Sequence, residues 1–103
     1  MDTQLRKGIL DVCVLMAIKN QDSYGYKIIK DLSGVIQISE STLYTILKRL
    51  EEAGMLVVRV TEYEGRIRKY YHITSAGLKR IESFKEEWRE LMKVYEFITG
   101  EDK

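Results

Sequence analysis

At 103 residues, with 45% hydrophobic and 32% charged residues, the chain is long enough for one small domain with a modest core. Its 17 basic and 16 acidic residues nearly cancel, so the chain as a whole lacks the positive excess of many nucleic-acid-binding proteins. The single cysteine excludes a disulfide framework and predicts the reducing cytoplasm. The longest nearly apolar run, Ile9 to Ile18, contains Asp11 and is shorter than the roughly 20 residues that span a bilayer.

The first predicted helix runs from Leu5 to Lys19, and its apolar residues cover most of its circumference. A helix that is apolar nearly all round is buried on more than one side. We therefore expect one side to cover the domain core and another side to contact a second subunit. Asp11 either lies at a hydrated seam or faces a ligand cavity. Cys13 is expected to be a small core residue.

A polar segment, Asn20 to Ser23, predicts a turn before the second helix. Asp22 or Ser23 is the expected N-cap, because both side chains can accept a hydrogen bond from a free backbone N–H. The second helix should then run from about Tyr24 to Leu32, and Ser33 with Gly34 should end it. A short apolar link leads from there into the third helix.

The third predicted helix, Glu40 to Ala53, separates an apolar edge from an edge of short polar side chains. Ser39 is its expected N-cap, and Gly54 is expected in the left-handed conformation just beyond its end. At about 100° per residue the two edges lie on opposite sides of the helix. The apolar edge contains Leu43, Leu47 and Leu50, and the polar edge contains Ser41, Thr45 and Lys48.

Two β-rich segments, 55–61 and 67–73, flank a turn at Tyr63 to Arg66 and predict a β-hairpin. From Arg59 to Lys69 this region contains four basic and two acidic residues, a local positive excess. A helix with exposed hydroxyls followed by a basic hairpin is typical of a winged helix-turn-helix. The helix would enter the major groove, and the hairpin would lie along the phosphates or the minor groove.

The last predicted helix begins after a cap at Thr74 or Ser75 and runs to about Thr99. Its apolar residues recur at steps of three or four, which is typical of a helix that packs along another helix. They are Leu78, Ile81, Phe84, Trp88, Leu91, Tyr95 and Ile98. The predicted fold is mainly α with a small β-hairpin. Residues 1–74 would form a winged helix-turn-helix DNA-binding domain, and residues 75–103 a C-terminal dimerisation helix packed with the first helices of both subunits.

The candidate DNA contacts lie on the polar edge of the third helix and around the hairpin turn. Hydroxyls and amines can bond phosphates or base edges, and Gly65 permits a tight turn from which Arg66 and Arg68 project. The alternatives are an ordinary solvated helix face and a charged hairpin without a ligand. The candidates are Ser41, Thr42, Tyr44, Thr45 and Lys48 in the helix, and Gly65, Arg66, Arg68 and Lys69 in the hairpin.

Several further side chains allow structural interpretations. Tyr44 either bonds a phosphate or packs against the second helix, beside Tyr24 and Tyr26. Tyr70, Tyr71 and Ile73 are expected to pack under the hairpin. His72 is the sole histidine and has no carboxylate or cysteine at ligand spacing, so we expect a structural role, no metal, no cofactor and no enzymatic activity.

These residues resemble the PadR family of bacterial transcriptional regulators, and the resemblance covers essentially the whole chain. Ser41 and Thr45 stand where many members have Gly and Pro on either side of the Thr-Leu-Tyr tripeptide. The single short last helix is similar to that of the small-subtype members, and the third helix to that of the multidrug-sensing branch. The segments that carry the resemblance are 24–28, 42–44, 47–51, Gly54, 68–71, 73–74 and Gly77.

The resemblance implies a homodimeric repressor of transporter genes that binds a pseudo-palindromic operator. It also implies release by a planar aromatic ligand in a pore between subunits, stacked on a tryptophan that Trp88 matches. The alternatives are that Trp88 only fills the subunit interface of an effector-free regulator, or that the winged helix binds a protein instead of DNA. The candidate ligand contacts are Val12, Met16, Phe84, Trp88, Met92 and Tyr95, with Leu5 and Gly8 nearby.

Overall fold

The computed structural model describes residues 2–101 and contains four helices and one two-stranded antiparallel sheet. This architecture confirms the predicted winged helix-turn-helix with a C-terminal helix. Met1, Asp102 and Lys103, which the predicted segments include, lie outside the described residues. The elements are α1 (Thr3–Ala17), α2 (Gly25–Leu32), α3 (Glu40–Glu52), β1 (Leu56–Tyr63), β2 (Arg66–Ile73) and α4 (Ser75–Thr99).

Side-chain oxygens cap two of the helices where the sequence predicted caps. The Ser39 hydroxyl accepts a hydrogen bond from the Thr42 N–H at 3.1 Å, and the Thr74 hydroxyl accepts one from the Gly77 N–H at 3.2 Å. Each bond satisfies a donor that the first helical turn leaves free. Beyond α3, Gly54 has a φ of 75°, which confirms the expected left-handed end.

Helix α1 begins and ends two residues before its predicted bounds. The Asp2 carboxylate accepts hydrogen bonds from the backbone N–H groups of Gln4 and Leu5, both at 3.1 Å. This cap starts the helix at Thr3. The predicted start was Leu5, because the prediction was based on the apolar residues. Ile18 is the C-cap, and it is buried in the core instead of continuing the helix.

The predicted N-cap of α2 was wrong. Tyr24 occupies the N-cap position, and among residues 2–101 its side chain makes no capping hydrogen bond. Ser23 instead pairs with β2 through its backbone: its N–H donates to the Tyr71 carbonyl at 3.3 Å, and the Tyr71 N–H donates back at 2.8 Å. The Asp22 carboxylate is directed at the hairpin, where it contacts Arg59 and His72. Tertiary contacts thus outcompete the local cap at both positions.

The hydrophobic core lies between α1, α2, α3, the base of the hairpin and the first turns of α4. Four residues of α3 are at most 2% exposed, which confirms the predicted apolar edge and adds Ile46 to it. Full burial of an aliphatic side chain stabilises a fold by roughly 1.5–3 kcal/mol, so this edge fixes the rotation of α3. The four buried residues of α3 are Leu43, Ile46, Leu47 and Leu50.

Two polar or reactive side chains of α1 also lie against this core. Asp11 forms an ion pair with Arg49, so it joins α1 to α3, a role that neither sequence-based alternative included. Cys13 is half-buried and packs on the core, as expected. Burial raises the pKa of the Cys13 thiol above its ordinary value.

The hairpin has continuous pairing from Leu56 opposite Ile73 to Tyr63 opposite Arg66. Glu64 and Gly65 form its two-residue turn, with φ values of 50° and 76°, as a type I′ hairpin turn requires. This confirms the predicted turn. Tyr71 and Ile73 are buried under the hairpin as expected, whereas Tyr70 is half-buried on the other face of the sheet.

Helix α4 projects away from the winged helix. Its 25 residues extend for roughly 38 Å at 1.5 Å per residue, and the molecule measures 60 Å along its longest axis against 26 and 22 Å. Gly77 and Ile81 are its buried residues, and every residue from 85 to 100 is exposed. Within residues 2–101, none of the helices is both long enough and apolar enough to cross a membrane.

At Gly77, α4 lies close against the base of the hairpin. A Cβ at this position would lie 2.3 Å from the Met55 carbonyl oxygen and 2.6 Å from Ile73 Cγ1. We expect Gly77→Ala to lower the free energy of unfolding by about 1–3 kcal/mol in a urea titration, because overpacking outweighs the gain in helix propensity.

Gly34→Ala is the matched control. A Cβ there would have open space within 4 Å in the described part of the chain, so its unfolding free energy should change by no more than about 0.5 kcal/mol. Equal midpoints for the two variants would contradict the close contact at Gly77.

Candidate nucleic-acid interface

The polar edge of α3 faces away from the core. Ser41, Thr42, Tyr44, Thr45 and Lys48 are all exposed, so residues 2–101 leave this edge uncovered. Its orientation follows from the buried residues on the opposite side of the same helix. The five predicted contacts on α3 therefore share one accessible surface.

Local hydrogen bonds determine whether two of these hydroxyls can still donate or only accept a hydrogen bond from a ligand. Thr45 donates its hydroxyl proton to the Ser41 carbonyl at 2.9 Å, so its oxygen remains available only as an acceptor. Thr42 accepts a hydrogen bond from the Ser39 hydroxyl at 2.9 Å and keeps its own proton. Thr42 can thus donate to a phosphate oxygen or to an acceptor on a base edge.

Tyr44 lies across the first turn of α2. A Cβ on Gly25 would be 2.5 Å from the Tyr44 hydroxyl oxygen, so the absence of a side chain at Gly25 allows this approach. The packing against α2 that the sequence suggested is therefore present. Tyr44 is still 48% exposed, and a phosphate contact by its hydroxyl stays a prediction.

The predicted basic residues of the hairpin are divided between its two faces. Lys69 pairs with Val60 across the strands and lines a groove that also contains Tyr44 and Lys48 of α3. Arg68 lies on the opposite face, because successive residues of a strand alternate. Arg66 is exposed beside the Gly65 turn.

Arg68 is held among three tyrosines. Its guanidinium carbon lies 4.8 Å from the ring centroid of Tyr24 and 5.2 Å from that of Tyr63, which are cation–π distances. It also donates a long hydrogen bond of 3.5 Å to the Tyr70 hydroxyl, and this bond is the main reason that the pKa of Arg68 is raised. The sequence predicted that Arg68 would project freely from the hairpin turn. The structure shows instead that its guanidinium packs against tyrosine rings.

A cluster at the base of the hairpin joins it to the turn before α2. The Asp22 carboxylate lies 2.7 Å from His72 Nδ1 and also accepts a hydrogen bond from Arg59. The hydrogen bond with His72 is the largest cause that lowers the pKa of Asp22. His72 is exposed and has the structural role expected of it, but its carboxylate partner, fifty positions away in the chain, was missed.

Two basic residues outside the predicted DNA contacts also lie beside α3. Arg6 and Lys7 at the start of α1 line a groove whose other wall contains Ser41, Thr42 and Thr45. The available signal was a pair of adjacent basic residues before the apolar run of α1. It did not show which helix they would lie beside, because that depends on how α1 packs.

The predicted ligand contacts are brought together only in part. Phe84, Trp88 and Met92 line one groove together with Ile9, and the rings of Phe84 and Trp88 stack with centroids 5.8 Å apart. Tyr95 lines a neighbouring apolar groove that shares Trp88 and Met92. Val12 is buried in the core, and Met16 is exposed outside both grooves. Ile9 was not among the predicted ligand contacts.

Comparison with known proteins decides the family. Residues 14–83 match the model of the transcriptional regulator PadR-like family. The chain belongs to this family. As a PadR-like protein it is a DNA-binding transcriptional regulator, and the polar edge of α3 is its candidate recognition surface.

Similar proteins match nearly the full length of this PadR-like chain. An uncharacterized protein of Lysinibacillus sphaericus is 34% identical in an alignment of 100 positions that covers 91% of this chain and 92% of that protein. A crystal structure from Streptococcus mutans is 37% identical with a TM-score of 0.80, covering 94% of this chain and 92% of its own. A PadR family transcriptional regulator from Eggerthella lenta is 30% identical with a TM-score of 0.84, covering 96% and 88%.

The Asp22 cluster predicts a pH-dependent contribution to stability. Because the folded-state pKa of Asp22 is lowered, its contribution is present above the unfolded value of 3.8 and is lost as the pH falls through the folded pKa. We expect Asp22→Asn to be less stable than the wild type at pH 6 in thermal unfolding. The difference should shrink below about pH 3.8. A difference that is constant from pH 3 to pH 6 would contradict this origin.

Proposed function

We propose that this PadR-like regulator is a cytoplasmic homodimer that binds a pseudo-palindromic operator and represses transcription of an adjacent gene. Residues 1–74 would bind DNA, and residues 75–103 would dimerise. The observation that carries the proposal is the exposed polar edge of α3, which the buried apolar edge of the same helix directs away from the core.

The size of α3 suits the major groove of B-DNA. An α-helix with its side chains is about 10–12 Å across, and the major groove is about 12 Å wide. Short hydroxyl side chains at Ser41, Thr42 and Thr45 allow the helix backbone to approach the base edges. Lys48 and Tyr44, which are longer, reach the bordering phosphates.

The hairpin would contact the DNA backbone beside the same groove. Arg66 is exposed at the Gly65 turn and can reach a phosphate or the minor groove. Arg68, fixed by its tyrosines, presents a guanidinium of defined position, which loses less conformational entropy on binding than a mobile one. Lys69 faces α3, and together with Lys48 it would contact phosphates of the same DNA strand.

The projecting part of α4 supports a homodimer. Beyond residue 85 this helix has large apolar side chains that residues 2–101 leave exposed, and such apolar surface marks an interface. To bind successive major grooves, a two-fold axis through this region has to place the two copies of α3 about 34 Å apart. The exposed side chains include Trp88, Leu91, Met92, Val94, Tyr95, Phe97 and Ile98.

The groove beside α1 and α4 supports release by a ligand. Phe84, Trp88, Met92 and Ile9 provide stacking rings and a deformable thioether, which suit flat apolar ligands of varied shape. Because the groove lies on the helix proposed to dimerise, a ligand there could favour one dimer geometry over another. Release follows if the favoured geometry no longer matches the spacing of the operator grooves.

DNA binding by this protein should depend strongly on salt. In a gel shift against the promoter of its own operon, we expect affinity to fall steeply as salt increases, because bound phosphates release counterions. Lys48→Ala should reduce the slope of log K against log salt by about 0.9 for each phosphate that the protein no longer neutralises. Lys93→Ala, which removes the same charge from the side of α4 opposite Trp88, should leave the slope unchanged. Wild-type protein without salt-dependent duplex binding would instead favour a protein-binding winged helix.

The second prediction concerns the dimer. In sedimentation equilibrium, the wild type should have twice the chain mass of 12.1 kDa. Leu91→Glu should dissociate it, because a carboxylate buried without a partner in the interface is costly. Lys79→Glu introduces the same residue on an exposed position before the projecting part of α4 and should remain dimeric. A monomeric wild type at high concentration would exclude the proposed symmetry.

The third prediction concerns the ligand. Trp88 is the sole tryptophan, so its fluorescence reports on this groove without interference. Planar aromatic dyes should quench it in a saturable manner, and Phe84→Ala should weaken that binding. Met16→Ala, outside both grooves, is the control and should bind as the wild type does. Unchanged Trp88 emission across a broad panel of dyes would favour an effector-free regulator.

A further inference from the structure

We propose that Arg6 and Lys7, at the start of α1, bind phosphodiester groups of the operator strand that borders the α1 side of α3. The inference rests on the proposed binding of DNA and extends the binding surface to a helix outside the recognition helix and the hairpin. It assigns a role to the groove between the first half of α1 and α3.

The groove places these two residues beside the recognition surface. It has a volume of about 410 Å³ and is lined by Arg6 and Lys7 on one wall and by Ser41, Thr42 and Thr45 on the other. Leu10 and Ile46 form its apolar floor. The hydroxyls and the two basic side chains are thus open to the same side of the molecule.

The packing of α1 along α3 keeps this arrangement fixed. At one end of the groove, the Asp11–Arg49 ion pair joins the two helices. At the other end, Asp2 caps α1 and holds its first turn in the helical conformation. Arg6 and Lys7 therefore belong to a folded helix with a defined distance to α3, and not to a mobile arm.

The charge of this pair is available to a ligand. Both side chains are exposed, and within residues 2–101 no salt bridge involves either of them. Arg49, the third basic residue of the groove, is neutralised by Asp11. The Asp2 carboxylate is occupied with backbone N–H groups of its own helix. The groove consequently has a net positive charge from Arg6 and Lys7.

The distance between packed helices and the width of the major groove together would put Arg6 and Lys7 beside the DNA phosphates. Helices in contact have axes about 8–10 Å apart, and the major groove is about 12 Å wide. With α3 centred in the groove, the axis of α1 would lie beyond its edge, over the sugar-phosphate backbone. Arg and Lys side chains are long enough to reach that backbone from a helix resting above it.

The opposite side of α3 has a matching pair of charges. Lys48 and Lys69 line the groove between α3 and the hairpin together with one acidic residue, Glu51, so basic residues flank the hydroxyls of α3 on both sides. A duplex groove is bordered by one phosphate strand on each side, which two basic flanks complement. This pattern favours a nucleic-acid duplex over an acidic protein, for which two parallel charged borders are not required.

The test compares salt slopes of binding to duplex DNA. Arg6→Ala/Lys7→Ala should reduce the slope of log K against log salt by about 0.9 for each phosphate left without its basic partner, or about 3.6 for the four residues of a homodimer. Because phosphate contacts carry no sequence information, affinity should fall by a similar factor for the operator and for an unrelated duplex. The charge-conserving variant Arg6→Lys/Lys7→Arg should keep the wild-type slope.

Lys79→Ala/Lys93→Ala is the matched control, since it removes the same charge from the side of α4 opposite Trp88. If the wild type binds with a steep slope but the Arg6/Lys7 variant has the slope of this control, the inference fails and DNA binding stands. If the variant loses affinity for the operator only, the phosphate role is likewise wrong. A wild type without salt-dependent binding would overturn the proposed function itself. Circular dichroism of each variant checks that exposed alanines near the start of α1 leave the fold intact.

Discussion

Burial of the apolar edge of α3 is the constraint on which the rest of the structure depends. Leu43, Ile46, Leu47 and Leu50 occupy the centre of the core, where α1, α2 and the base of the hairpin meet. Rotating the helix to hide its hydroxyls would expose these four side chains, at a cost of roughly 1.5–3 kcal/mol each. The exposed polar edge is therefore a consequence of folding, and DNA binding can use a surface that is present before the DNA arrives.

Electrostatic complementarity in this protein is local. A formal net charge of +1 would attract DNA only weakly at long range, yet basic residues lie on both sides of the hydroxyls of α3. Two acidic residues join parts of the fold: Asp11 joins α1 to α3, and Asp22 joins the turn before α2 to the hairpin. These two carboxylates stabilise the scaffold, while basic residues border the hydroxyls of α3 on both sides.

Local signals in the sequence were sufficient for most of the fold, because helix caps and the hairpin turn depend on adjacent residues. Ser39, Thr74 and Gly65 act where the sequence predicted. The failures involve partners distant in sequence. Asp22 was predicted as a cap, but it contacts Arg59 and His72. Arg68 was predicted to project from the hairpin tip, but its guanidinium packs against tyrosine rings. The positions of Arg6 and Lys7 beside α3 follow from helix packing, which periodicity alone does not specify.

The central claim is that two copies of the α3 edge, held by one dimer, enter successive major grooves. The most direct measurement is binding affinity for operators in which base pairs are inserted between the half-sites. A rigid dimer with recognition helices about 34 Å apart should bind the native spacing tightly and lose its high affinity when about five base pairs turn one half-site to the opposite side of the duplex. Affinity that is independent of the spacing would contradict the account.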